Sequence, residues 1–93
     1  TDDTWRQWPD WIEVAFQHPV TAGRVVVHTA SIVAYEIQVA VDGTLVTVAE
    51  GSRRDGEPIA ASWPPRLCGA LRVVAKSGTG DRIGVSEIEV YAE

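Results

Sequence analysis

The sequence predicts an all-β chain, an antiparallel sandwich or jelly roll, and three observations carry that reading. Residues 35 to 41, Tyr35-Glu36-Ile37-Gln38-Val39-Ala40-Val41, alternate with period two and place Tyr35, Ile37, Val39 and Val41 on one face. Asp42-Gly43 follows at once, a pair suited to the left-handed backbone of a two-residue hairpin turn. No segment shows the 3.6-residue apolar period of a helix, while short β-like runs recur along the chain.

Residues 1–10 read as a polar, aromatic loop, with Pro9 preventing a helix through Trp5, Trp8 and Trp11. A first strand is expected over about 11–17, with Ile12, Val14 and Phe16 facing the core. Residues 24–29 form an almost continuous apolar run, as expected of a strand covered on both faces. After the Asp42-Gly43 turn the chain returns through Leu45 to Glu50. Residues 51–69 hold three Gly, three Pro and five charges, which predicts a long irregular stretch with one short strand near 59–62. Another strand is expected over 71–76, then a Gly-rich loop over 77–84, then a closing strand over 85–92. In that last strand Ile88 and Val90 share a face that Val85 misses, which requires one register shift near Ser86.

The 93 residues suit a single domain spanning 1–93, and the apolar content is enough for one core. The chain lacks Met even at position 1, and it reads as one domain excised from a larger multidomain protein. The net charge of −5 argues against nucleic-acid partners, which need Lys and Arg against phosphates, and against docking on anionic lipid. Cys68 stands alone, so no disulfide forms within the chain, and it reads as a small buried hydrophobe.

Catalytic signatures are weak. His18 and His28 have no metal-ligand spacing, no nucleophile elbow appears, and Gly78-Thr79-Gly80 is too short to cradle phosphate. Glu87 and Glu89 lie on one strand face, whereas a glycosidase needs two carboxylates brought across a sugar from different elements. The chain is therefore read as a non-enzyme, an accessory domain.

Six ordered segments resemble the F5/8 type C (discoidin) family of galactose-binding-like jelly rolls, which includes many carbohydrate-binding modules. Asp2-Asp3-Thr4-Trp5 looks like the family's Asp-rich turn, and Trp11-Ile12-Glu13-Val14 with Pro19-Val20 like its first strand and step. Tyr35 through Gly43 resembles the Tyr-bearing hairpin, and Leu71-Arg72-Val73 with Ser86-Glu87-Ile88-Glu89-Val90-Tyr91 resembles the late strands. Two departures stand out. Ala15-Phe16-Gln17 replaces the usual Asp-Leu-Gly, and the chain begins almost at the Asp-rich turn, where family members have one or two further strands.

The resemblance implies a galactose-binding-like sandwich, possessed or not of its N-terminal strand, of bacterial character, working extracellularly or at the cell surface. It implies a non-catalytic carbohydrate-binding module that targets a larger enzyme or surface protein to glycans. The rivals are a structural or protein-interaction sandwich without sugar binding and, behind it, a membrane-surface binder. Sugar binding asks for an aromatic face and a few fixed hydrogen-bonding groups on loops at one end. Trp8 and Trp63, each beside a proline in a loop, and Arg66 in the same long loop as Trp63 suit that role by residue type, and the resemblance offers His28, Arg53 or Arg54, Trp63, and Arg82 with Asp81. It assigns Trp5 and Trp11 to packing, Arg72 to an internal ion pair, and a structural Ca²⁺ to Asp2 and Asp3. Expected partners are a glycan or oligosaccharide and the neighbouring domains of the same polypeptide.

Overall fold

A computed structural model describes residues 10–79 and 84–92 of the chain. Its five strands are β1 (Asp10–Thr29), β2 (Ile32–Val41), β3 (Thr44–Ser52), β4 (Ile59–Gly78) and β5 (Val85–Tyr91). They form one antiparallel sheet in the order β3-β2-β4-β1-β5.

The hairpin β2–β3 forms where the sequence places it. Asp42 and Gly43 both adopt positive φ, 52° and 80°, the backbone of a type I′ turn. The period-two pattern then puts Tyr35, Ile37 and Val39 in the core, with Val41 half-buried.

β1 and β4 are each 20 residues long. A straight strand of that length would reach about 66 Å at ~3.3 Å per residue. The longest dimension of the molecule is 34 Å. Both strands therefore bend, and the sheet folds over on itself into two layers. The bends are visible in the pairing of β1 with β4, which shifts register between Ala15 and Val20 and again between Ala22 and Arg24.

The second shift explains a departure from the sequence reading. Ala22 faces Arg66 and Arg24 faces Ser62, so Trp63, Pro64 and Pro65 bulge out opposite Gly23 alone. Proline has no N–H to give a ladder, and a bulge is where a strand tolerates one. The stretch expected to be irregular over 51–69 is thus mostly strand, and only residues 53–58 between β3 and β4 lie outside strands. A Cβ at Gly23 would stand 2.9 Å from Pro65 Cγ and 3.2 Å from the carbonyl oxygens of Trp63 and Ala92, so only glycine fits this crossing. The two strands expected over 11–17 and 24–29 are likewise one continuous β1, with Pro19 held in the first bulge.

The core lies between the layers. Ala22, Val25 and Val27 of β1 meet Ile37 and Val39 of β2 and Ile59, Trp63, Leu71, Val73 and Ala75 of β4. Ile12, Val14 and Phe16 alternate with exposed neighbours as predicted but remain half-buried. Cys68 is buried, and loss of solvent pushes its thiol pKa up, consistent with a packing role. The register shift expected near Ser86 is present: His28 pairs with Glu87 and Thr29 with Val85, leaving Ser86 as the extra residue. Its hydroxyl donates to His28 O at 3.2 Å.

Two stacks decorate the outer faces. The Arg72 guanidinium lies 4.8 Å from the Trp11 ring centroid and pairs with Glu13 at 2.9 Å, a partly exposed pair on an outer face where the resemblance implies an internal one. Trp11 itself, expected to pack inward, is 51% exposed. Arg24 lies over Tyr91 at 4.2 Å.

Candidate functional site: a cleft at the loop end of the sheet

Three connections converge at one end of the folded sheet: the β1–β2 turn, the β3–β4 loop and the segment entering β5. Between them lies an open cleft of about 710 Å³. His28, Thr29 and Ser31 form one side, Arg53, Asp55 and Glu57 another, and Gly84 to Ser86 the third.

Arg53 fixes the shape of this cleft. It is only 9% exposed, and its backbone N–H donates to Val33 O at 2.8 Å. Its Nε donates to Ile32 O at 2.6 Å, while Nη1 donates to Arg54 O at 3.1 Å and Glu57 O at 3.0 Å. One guanidinium thus ties the β3–β4 loop to the start of β2. Carbonyl oxygens are good acceptors for its planar fork, which a lysine ammonium would match poorly. The loop closes on itself as Glu57 N donates to Arg54 O at 3.0 Å, with Gly56 at φ 86°.

Hydroxyls fasten the opposite wall. Thr29 Oγ1 donates to Gly84 O at 2.5 Å, and Gly84 N donates to Ser31 Oγ at 2.7 Å. Thr79 N donates to Ser31 O at 2.8 Å. His28 is held from the neighbouring strand, its Nε2 lying 3.3 Å from Glu89 Oε1. Glu87, its direct cross-strand partner, completes a group whose donor atoms lie within 4.8 Å of one another. The His28–Glu89 contact accounts for this grouping as a cross-strand ion pair when the imidazole is protonated.

The residues expected to bind ligand fall into three groups. His28 and Arg53 line the cleft, and Arg54 is exposed beside it, offering its carbonyl to Arg53. Trp63 and Arg66 lie elsewhere, bordering a separate hollow of about 490 Å³ with Thr47, Val48, Pro64 and Pro65. Trp63 differs most from its expected role. It is 7% exposed and belongs to the core, and its Nε1 donates to Ala22 O at 2.9 Å, so its main role is packing. Arg53 differs too, since its buried guanidinium serves backbone carbonyls first. Trp8, Asp81 and Arg82, with the expected metal ligands Asp2 and Asp3, lie outside the described residues.

Asp55, Glu57, Thr29, Ser31 and Ser86 were not singled out from the sequence. A signal was present in the run Asp55-Gly56-Glu57-Pro58, where turn residues hold two acids in an exposed loop.

No family model and no curated protein matches the sequence. Solved structures do match. A carbohydrate-binding module of family 32 from Clostridium perfringens, solved with GalNAc-β-1,3-galactose, superposes with a TM-score of 0.84 at 20% identity, over 94% of this chain and 68% of that one. Chitosan-binding module 1 of a chitosanase/glucanase from Paenibacillus sp. IK-5 matches at 0.79 and 26% identity, over 94% of this chain and 71% of that one. SpGH29 matches at 0.78 and 19% identity, over 91% of this chain, which spans only 20% of the length of that much longer protein. The fold is the galactose-binding-like, discoidin-type fold found in family 32 carbohydrate-binding modules.

Proposed function

We propose that this domain is a non-catalytic glycan-binding module that receives a saccharide in the cleft between the β1–β2 turn, the β3–β4 loop and the β5 approach. The observation that supports this most is the cleft itself: a concave, braced end on a fold whose neighbours are modules of this kind. Bracing matters because a small ligand repays little ordering cost, and the Arg53 and Ser31 hydrogen bonds fix two walls beforehand. In this reading the domain is the accessory of a larger enzyme or surface protein working outside the cell, and tethering supplies the avidity that one shallow site lacks. A structural Ca²⁺ held through Asp2 and Asp3 is part of the same proposal.

A glycan array probed with the folded domain, with calcium and with chelator, tests it. Binding to a defined saccharide class, lost on substituting residues of the cleft, is the expected result. Loss of binding or of thermal stability under chelation would support the calcium. A blank array from a cooperatively folding domain would refute the glycan reading and favour the structural sandwich, and binding to vesicles alone would favour a membrane surface.

A further inference from the structure

We infer that His28, Glu87 and Glu89 form a binding site for a divalent transition-metal ion of the zinc class, on the outer face of the β1–β5 pair. Strand pairing brings the three donors together. The register runs unbroken from Arg24–Tyr91 to His28–Glu87, so His28 lies directly opposite Glu87, and Glu89 follows two residues on. All three side chains therefore share one face, while Val25 and Val27 between them turn into the core. The Ser86 hydroxyl, donating to His28 O at 3.2 Å, pins the end of this ladder.

The spacing of the donors suits an ion better than it suits a direct bond. The ligating atoms of the three residues lie within 4.8 Å of one another. His28 Nε2 and Glu89 Oε1 stand 3.3 Å apart. A charge-assisted N–H···O bond prefers about 2.7–2.9 Å. A tetrahedral zinc with ligand bonds of about 2.0–2.1 Å holds its donors roughly 3.3–3.4 Å apart. Glu87 is exposed and has no hydrogen bond or ion pair among the described residues, so its carboxylate is free to turn in as the third ligand.

Charge favours the same occupant. Among the described residues no Lys or Arg pairs with Glu87 or Glu89, and Arg24, farther along the face, is committed to the Tyr91 ring at 4.2 Å. A protonated His28 offsets one of the two carboxylates. A neutral His28 offers its lone pair instead, and a dication then satisfies all three groups at once. An imidazole in the donor set selects zinc-like ions over calcium and magnesium, which take oxygen. The site is thus distinct from the calcium proposed at Asp2 and Asp3, and its occupant would clip β5 to β1. Three protein donors leave the fourth position to water.

Titration calorimetry of the intact domain with ZnCl₂ tests the assignment, alongside melting curves. The expected result is a single zinc per chain, not displaced by excess CaCl₂, with a melting temperature that rises with zinc concentration. His28→Gln and Glu89→Gln should each weaken zinc at least about tenfold, since even the groups that support a metal ligand are worth that much. Their side chains are 41% and 36% exposed, so without metal both variants should melt close to the parent. Glu87→Gln breaks no contact among the described residues and should also weaken zinc. His18→Gln alters the other histidine, exposed on β1, and should bind zinc as the parent does. Absence of zinc binding by the folded parent overturns the assignment. So does zinc binding that survives these three substitutions, that is lost with His18→Gln, or that yields to calcium.

Discussion

Trp63 offers the sharpest separation between a residue that holds the fold and one that meets a ligand. Its indole lies at the bend of β4, 93% shielded from solvent, and it bonds Ala22 O across the fold at 2.9 Å. Trp63→Ala removes the largest side chain of the core at a site that cannot collapse easily. On one side stands the Gly23 crossing, and on the other Pro64 and Pro65 stiffen the backbone. Truncations of this kind cost about 3–5 kcal/mol, and the orphaned Ala22 carbonyl places this one in the upper half of that range. A 93-residue domain has a total stability of roughly 5–14 kcal/mol, so the variant should lose a third or more of it. The melting temperature should fall by about 20 °C. Trp63→Phe keeps much of the volume and loses the N–H, and should cost about 1–2 kcal/mol. Urea unfolding followed by circular dichroism measures all three proteins. If Trp63→Ala unfolds within ~1 kcal/mol of the parent, the ring is not part of the core, and its assignment to a binding surface returns.

Two further perturbations test the loop end and the acid behaviour. Arg53→Lys loses the fork that bridges Ile32, Arg54 and Glu57, and should destabilise the domain by about 2–4 kcal/mol through unsatisfied carbonyls; hydrogen exchange should show faster opening confined first to residues 53–58. The pKa of Glu36 is lowered, chiefly by the hydrogen bond from Thr47 and then by that from Gln38; desolvation opposes them, and Lys76 assists least. Its folded pKa lies below its unfolded value of 4.5, so its contribution is fully present above that value and is lost as pH falls through the folded pKa. Thr47→Val should flatten the decline in melting temperature below about pH 4.5, and a profile parallel to the parent's would contradict the assignment.

Much of the fold is legible in residue order because local and global preferences agree there. The Asp42-Gly43 turn, the buried face Tyr35-Ile37-Val39 and the slip at Ser86 all follow from period two and positive φ. Residues 59–70 mislead for a physical reason. Pro64, Pro65 and Gly69 are strand breakers in a flat ladder, yet here they occupy the two bulges where β1 and β4 bend and no ladder bond is required. The site is less legible than the fold. A loop Trp next to prolines reads as a rigid exposed platform, and only the tertiary crossing at Gly23 turns it inward. Arg53 and Arg54 are indistinguishable as neighbours in sequence, but one is buried on carbonyls and the other faces water. His28 lines the cleft, a place that the resemblance implies and that its position at the end of an apolar run does not.

The long pairing of β1 with β4 also dictates the order in which this chain can assemble. Asp10 meets Ala75 and Val27 meets Ile59, so the central seam joins parts of the chain made far apart, while β2 and β3 need only close a two-residue turn. Local hairpins form in about 1–10 μs, but closing large loops before any contact rewards them makes such topologies slow, in the millisecond-to-second range. Because the same two strands run through both layers, neither layer can be completed without the other. A nascent chain therefore gains its cleft only after residues 59–78 have been synthesised and zipped alongside β1, and until then the edges of β1 and β2 stand open to neighbouring chains.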